Sequence, residues 1–247
     1  MIDRARLVRT VEQLATFGAT KSGGVDRPAL SNADLDARRF LVDLALGMGL
    51  EVRRDPAANL FIRLAGREEE LPPVTTGSHV DSQPTGGKLD GAYGVCAGLE
   101  VLRSLAAAST DERLLRSIDL VIWTNEEGSR FAPGAMGSSV FVDPRKLPGF
   151  LAATDAHGMT FHEALSNADR EFSDIPLIEL ERPLHSFVEL HIEQGPVLER
   201  DGVDIGVVVG VQGCRWYGLS ASGRAAHAGT TPPLDRLDPL RSLHQLM

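Results

Sequence analysis

Three apolar, β-rich stretches of this chain each run into residues that bind metals or move protons. Residues 74–78 lead to His79-Val80-Asp81, residues 118–124 lead to Asn125-Glu126-Glu127, and a third run over 187–192 carries His191. Short apolar runs bounded by polar residues suit buried strands. Between the first two lie a glycine-rich loop, Gly86-Gly87-Lys88-Leu89-Asp90-Gly91, and a helical pattern over 93–105. Strands alternating with helices predict an α/β domain, a mostly parallel sheet flanked by helices. In such sheets ligands collect outside the carboxyl ends of strands, which is where these polar clusters fall.

The flanking sequence fills in the domain. Leu7, Val8, Val11, Leu14 and Ala15 make a helical stripe within 4–17. Ser31 or Asn32 caps a second helix reaching about Leu46, stopped by Gly47 and Gly49. Two short β-like runs follow, near Val52 and at 60–64. After Pro196 the pattern changes: 205–211 and 214–222 read as neighbouring strands, and a helix starts near Asp238. A first domain over 1–210 and a second beginning at Val211 are expected, with the chain cut inside the second. A hydrophobic fraction of 43% over 247 residues suits a soluble chain with a real core. No run approaches the ~20 apolar residues of a membrane helix, and the N-terminus has no secretory pattern. Two cysteines, Cys96 and Cys214, make no disulfide framework and predict a reducing, cytoplasmic setting. A net charge of -9 argues against nucleic acid or an anionic membrane as partner.

Each polar cluster has an ordinary reading when taken alone. His79 and Asp81 fall on the same side of an extended chain, so the acid can orient the ring; they also suit a plain polar strand end. Asp90 can bridge two divalent ions, yet Asp-Gly is a common turn pair. Glu126 and Glu127 repel unless a cation or proton compensates, so one can bind metal while the other faces substrate as a base; acids also favour a helix N-terminus. His191 reads equally as a partly buried strand histidine. Together, His, Asp, Glu and His at three strand ends form a nitrogen and oxygen donor set without thiolate, which suits hydrolysis more than a structural site.

In combination these motifs resemble one family. Thr76-Gly77-Ser78-His79-Val80-Asp81-Ser82, Gly87-Lys88-Leu89-Asp90-Gly91, Thr124-Asn125-Glu126-Glu127-Gly128-Ser129-Arg130-Phe131, His191-Ile192-Glu193-Gln194-Gly195-Pro196 and Gly223-Arg224-Ala225-Ala226-His227-Ala228-Gly229-Thr230-Thr231-Pro232 carry the likeness. It is to the N-carbamoyl-L-amino-acid hydrolases, allantoate amidohydrolases and β-ureidopropionases, dinuclear metallohydrolases related to aminoacylases and carboxypeptidase-G-like enzymes. The resemblance implies two divalent ions per subunit (Zn, Mn, Co or Ni). His79, Asp90 and His191 would hold one; Asp90, bridging, and Glu127 would hold the other. Asp81 would clamp His79, Glu126 would be the general base, Gln194 would contact substrate, and His227 would polarise its carbonyl. It also implies a zinc-exopeptidase-like catalytic domain, a lid and dimerisation domain beginning at 211–247, a homodimer through that lid, a small ureido or amide substrate, and a cis peptide at Asp90-Gly91. The family's last metal-ligand histidine and its lid Asn and Arg have no counterpart here, so a truncated chain with a weak second site is expected. A peptidase or aminoacylase, or an inactive homologue, is the alternative.

Overall fold

The computed structural model describes residues 1–108, 114–180, 182–213, 215 and 217–244. They form two compact units, Met1–Pro196 and Val197–Met247. In the first, helix α1 (Arg4–Leu14) begins where the Asp3 carboxylate accepts the Arg6 amide at 3.0 Å, and it buries Thr10, Val11 and Leu14. Residues 15–17, expected to prolong it, are wound as turns. Helix α2 (Asn32–Gly47) is capped by Ser31 and lays Leu35, Leu41, Val42 and Ala45 into the core. Strands β1 (Glu51–Arg54) and β2 (Leu60–Leu64) form a hairpin. The buried Asp55 carboxylate closes its turn, accepting the amides of Ala57 at 2.9 Å and Asn59 at 3.0 Å.

Strands β3 (Val74–His79), β4 (Ile118–Trp123) and β5 (Ser186–Val188) complete a sheet of order β1-β2-β4-β3-β5. β3 runs parallel to both β4 and β5, while β2 is antiparallel to β1 and β4. The sheet is therefore mixed. Its site-bearing half is parallel as predicted; the hairpin half is not, because the connection over 55–59 is too short for a parallel crossover. Helix α3 (Ala92–Ala106) carries the chain away from the end of β3 and packs Val95, Leu99 and Leu102 with Leu60, Ile62, Leu120 and Ile122 of the sheet in the principal core. The opposite face is thinner, with Phe61, Val121 and Trp123 under Phe141 and Ile178. β3 lies closest to β4 at Gly77, the register partner of Val121, where a Cβ would stand 2.0 Å from the Val121 carbonyl oxygen. β5 stops at Val188, short of the expected 192, because it is an edge strand whose ladder with β3 covers only Val74 to Thr76.

Helices α4 (Met136–Val142), α5 (Leu147–Phe150) and α6 (Phe161–Glu171) occupy a stretch where the sequence suggested no element. α4 and α5 are short, glycine-containing and separated by Pro144, so no periodic stripe develops. α6 opens on a capping box in which Thr160 and Glu163 satisfy each other's amides, a legible helix start. The second unit contains α7 (Val197–Asp201) and α8 (Pro239–His244). The strands expected over 205–211 and 214–222 do not form among the described residues. A strand needs a ladder partner, and Val207, Val208, Val209 and Val211 stand exposed. Cys214, where the second strand was to begin, and the last turn of the final helix to Met247 lie outside the described residues. Among the described residues, no helix is long and apolar enough to cross a membrane.

One contact fastens α1 to α3. Buried Glu100 accepts Arg6 Nε at 2.7 Å and Nη2 at 2.6 Å, the Asp3 amide at 2.8 Å and the Ser104 hydroxyl at 3.0 Å. The Arg6 bond above all holds its carboxyl down at about 2, against an ordinary 4.5. A depressed carboxylate stabilises the fold fully above its unfolded pKa and loses that contribution as pH falls through the folded value. Glu100→Gln is therefore expected to lower stability at pH 7 by about 2 kcal/mol and to flatten the acid loss between 4.5 and about 2. Urea unfolding at several pH values reads both; wild-type stability in the variant would show that the contact does not hold α1.

Candidate metal centre

His79 is the last residue of β3 and is 2% exposed. Its Nδ1 lies 2.8 Å from the Asp81 carbonyl oxygen. A carbonyl only accepts, so Nδ1 carries a proton, and in the neutral ring Nε2 presents its lone pair. That Nε2 faces Asp90 Oδ1 at 4.0 Å and Glu126 Oε2 at 3.5 Å. His191 repeats the arrangement: its Nδ1 lies 2.9 Å from the Ile192 carbonyl oxygen, and its Nε2 lies 3.3 Å from the same Asp90 Oδ1. The two rings stack at 6.0 Å between centroids. One ligand atom from each of His79, Asp90 and His191 lies within 4.8 Å of the others, the one such group among the described residues. Two imidazoles with Nδ1 tied to carbonyls and Nε2 turned on one carboxylate oxygen are prepared for a divalent cation.

Local backbone explains the convergence. Gly91, which precedes α3, sits at φ +60, and a Cβ there would stand 2.4 Å from His79 Nε2. Only glycine lets the loop close over the ring. The expected cis bond at Asp90-Gly91 does not occur; among the described residues the cis peptide is Ala132-Pro133. Gly91 makes the bend through its own φ of +60. Asp90 divides its oxygens, Oδ1 facing both imidazoles and Oδ2 accepting Gln194 Nε2 at 2.7 Å.

Asp81 joins the first two strand ends. Its carboxylate accepts the amides of Glu126 at 3.3 Å and Glu127 at 3.2 Å. Its hold on His79 comes from its backbone carbonyl, with the carboxylate Oδ1 farther off at 3.7 Å. Burial pushes the Asp81 carboxyl up to about 6, partly opposed by His79. Burial depresses His79 in turn, but the charges of Asp81 and Glu126 outweigh it and leave the imidazole raised. Burial also raises Glu126, helped by Glu127, Glu189 and Asp90 and opposed by His79. Asn125, at φ +51, sharply turns the chain between β4 and these acids, and its Nδ2 donates to the carbonyls of Phe131 at 2.8 Å and Pro133 at 3.2 Å. Asparagine tolerates this region better than most residues.

Glu127 is not gathered into the cluster of ligand atoms. Its carboxylate accepts the Gln83 amide at 3.3 Å and Gln83 Nε2 at 2.8 Å. His227 belongs to the second unit, where its Nδ1 accepts the amides of Gly229 and Thr230 at 3.0 and 3.1 Å. The sequence reading passed over Gln83 and also Glu189, which accepts a hydrogen bond from the buried Ser78 hydroxyl. Glu189 is two residues before His191, so the period of an extended chain could have found it. It shares with Glu126 a cleft of about 390 Å³ lined by Trp123, Phe141, Leu184 and Phe187.

Residues 59–168 match the peptidase family M28. The chain is 40% identical over 243 residues to an N-carbamoyl-L-amino-acid amidohydrolase of Pseudomonas sp. (strain NS671), covering 97% of this chain and 58% of that protein. It is 34% identical to the allantoate amidohydrolase of Bacillus subtilis (strain 168), covering 96% of this chain and 58% of the relative. The crystal structure of a hydantoinase/carbamoylase family amidase from Burkholderia ambifaria superposes with a TM-score of 0.81 at 40% identity, covering 99% of this chain and 59% of that one. The chain thus spans somewhat under three fifths of the length of these relatives. Over nearly its whole extent the chain is thus similar to the N-carbamoyl-L-amino-acid and allantoate amidohydrolases.

Proposed function

We propose that this chain is a metal-dependent amidohydrolase acting on linear ureido or amide carbon–nitrogen bonds, with N-carbamoyl-L-amino acids as the first substrate class and allantoate or β-ureidopropionate as the alternative. The observation that carries the reading is the convergence of two imidazole Nε2 atoms on Asp90 Oδ1, with Glu126 3.5 Å from one of them. The donor set fits a divalent ion of the Zn, Mn, Co or Ni kind: nitrogen and carboxylate oxygen, no thiolate, and Nδ1 positions already engaged. His79, Asp90 and His191 would hold it. Such an ion supplies Lewis acidity, which ureido groups need because they are poor electrophiles.

The remaining work falls to side chains. Glu126 takes a proton from the attacking water and returns it to the departing nitrogen, a role suited to a carboxyl raised by burial. Asp81 keeps His79 and Glu126 in register through its carbonyl and carboxylate. Gln194 contacts substrate as well as Asp90. Glu127 and Asp90 would hold a second ion, with Gln83 orienting the Glu127 carboxylate. The segment 211–247 begins a lid and dimerisation domain; His227 within it polarises the substrate carbonyl, and the working protein is a cytoplasmic homodimer. The match of 59–168 to peptidase family M28 favours one other reading, an exopeptidase.

Two experiments test this. Ammonia release from N-carbamoyl amino acids and allantoate, against amine release from a dipeptide, is measured with each divalent ion added. Ureido hydrolysis is expected, and Glu126→Gln should lower kcat by roughly 10²–10⁴-fold while metal content stays unchanged; equal rates in the variant would remove Glu126 as base, and peptide cleavage alone would favour the exopeptidase. Separately, Asp90→Asn and His191→Ala should each weaken zinc binding by at least about tenfold in titration calorimetry. Undiminished affinity in both would mean that the cluster is not the metal centre.

A further inference from the structure

Beneath the ends of β3 and β4 lie two buried guanidiniums that the proposed reaction does not use. Arg27 is 1% exposed and Arg38 0%. Arg27 Nε donates at 2.6 Å to the carbonyl of Val80, the residue between His79 and Asp81, and its Nη1 donates to the carbonyls of Leu14 and Phe17, both at 2.9 Å. The Arg27 amide donates to Ser82 Oγ at 3.0 Å, and the Ser82 amide returns a bond to the Arg27 carbonyl at 2.9 Å. Arg38 Nη2 donates to the carbonyl of Trp123, the last residue of β4, at 2.9 Å; its Nη1 reaches the Ala58 carbonyl at 3.1 Å and Thr124 Oγ1 at 3.3 Å. The carboxyl ends of β3 and β4 are thus each gripped by one planar fork.

The charges balance. Asp34 is 0% exposed and Asp81 1% exposed. Arg38 Nε pairs with Asp34 Oδ2 at 2.9 Å. Arg27 bonds carbonyls alone, with Asp34 and Asp81 acting on it through space. Two cations and two carboxylates form a buried layer at the ends of β3 and β4. Burying ions is costly and often contributes nothing net to stability. What an apolar filling could not supply is the fork geometry, which fixes several carbonyls at once.

Building on the metal-centre reading, we propose that Arg27 and Arg38 are positioning residues for that centre: they fix the carboxyl ends of β3 and β4, so that His79, Asp81, Glu126 and Glu127 keep their mutual placement. Neither touches substrate. They act through the backbone of Val80 and Trp123.

The test uses Arg27→Met, Arg27→Lys, Arg38→Met and Arg38→Lys, with Val52→Ala on the hairpin as a generally destabilised control. Hydrogen exchange in metal-free protein reads the amides of Glu126 and Glu127, which Asp81 holds. Their protection should fall at least about tenfold more than that of the other core amides in the Arg variants, whereas Val52→Ala should loosen all core amides alike. Zinc titration should show Kd raised roughly 10–100-fold in the Met variants and less in the Lys variants, where one ammonium replaces a fork. If the Met variants do not fold, the Lys variants carry both readouts. Folded variants with wild-type exchange at Glu126 and Glu127 and a zinc Kd within about twofold of wild type overturn the proposal. A wild-type chain that takes no zinc overturns the metal-centre reading instead, and exchange still decides the role of the arginines. Zinc binding without hydrolysis removes only the reaction.

Discussion

One residue makes two contacts, one through its carbonyl and one through its carboxylate, on which the geometry of the site depends. The Asp81 carbonyl accepts a hydrogen bond from His79 Nδ1, and the Asp81 carboxylate accepts the amides of Glu126 and Glu127. The first bond sets the tautomer and aims Nε2 at Asp90. The second locks the end of β4 to the end of β3 after regular pairing has stopped at Trp123. The parallel ladder alone brings the strand ends side by side but does not say where the side chains after them point. A buried carboxylate accepting two amides does, because it has few other arrangements in which its oxygens are satisfied.

Crowding acids at buried strand ends opposes folding unless the surroundings compensate. Here compensation comes from several directions. Backbone amides stabilise Asp81, an amide donor from Gln194 faces Asp90, and Gln83 engages Glu127. Asn59 joins in from the hairpin turn, its Oδ1 accepting the Thr124 amide at 3.0 Å and its Nδ2 donating to the Gly137 carbonyl at 3.0 Å. This explains why a small antiparallel hairpin is appended to the parallel strands: its turn buttresses the segment that presents Glu126. Among the described residues no backbone or side-chain amide donates to Glu126, whose nearest polar partner is His79 Nε2 at 3.5 Å; burial raises it and it lines the cleft. A carboxyl that no amide holds is free to exchange a proton.

Much of this was legible from residues. The ends of three apolar runs named His79, Glu126 and His191, and the glycine-rich loop named Asp90, because strand hydrophobicity and site polarity meet abruptly in an α/β sheet. The role of Asp81 was half legible: spacing put it beside His79, but not that its carbonyl would take the ring and its carboxylate the next strand. Arg27 and Arg38 were invisible, since arginine is ordinarily exposed and a pattern of charge cannot reveal burial. The segment 205–222 shows the opposite failure. Its valines have strand propensity, yet propensity records what a residue tolerates and not whether a partner strand is present.

The third donor stands on weaker ground than the other two. His79 and Asp90 are fixed by a central strand and by the start of α3, whereas His191 follows an edge strand whose ladder ends at Val188. Beyond that point the segment meets the site through Glu189 to Ser78, Gln194 to Asp90, His191 to Asp90 and the stack of His191 on His79. Each joins a side chain of 189–194 to a residue of the site itself, so the segment is ordered by the same groups it helps to assemble. Two consequences follow from that reciprocity. An ion between His79, Asp90 and His191 would contribute its binding free energy to ordering this segment as well as to ligation. Any change that loosens the segment should, by linkage, lower metal affinity even where no ligand is altered. The edge of the sheet is therefore where a rigid α/β scaffold and its candidate chemistry are coupled, and the short β5 is part of that coupling.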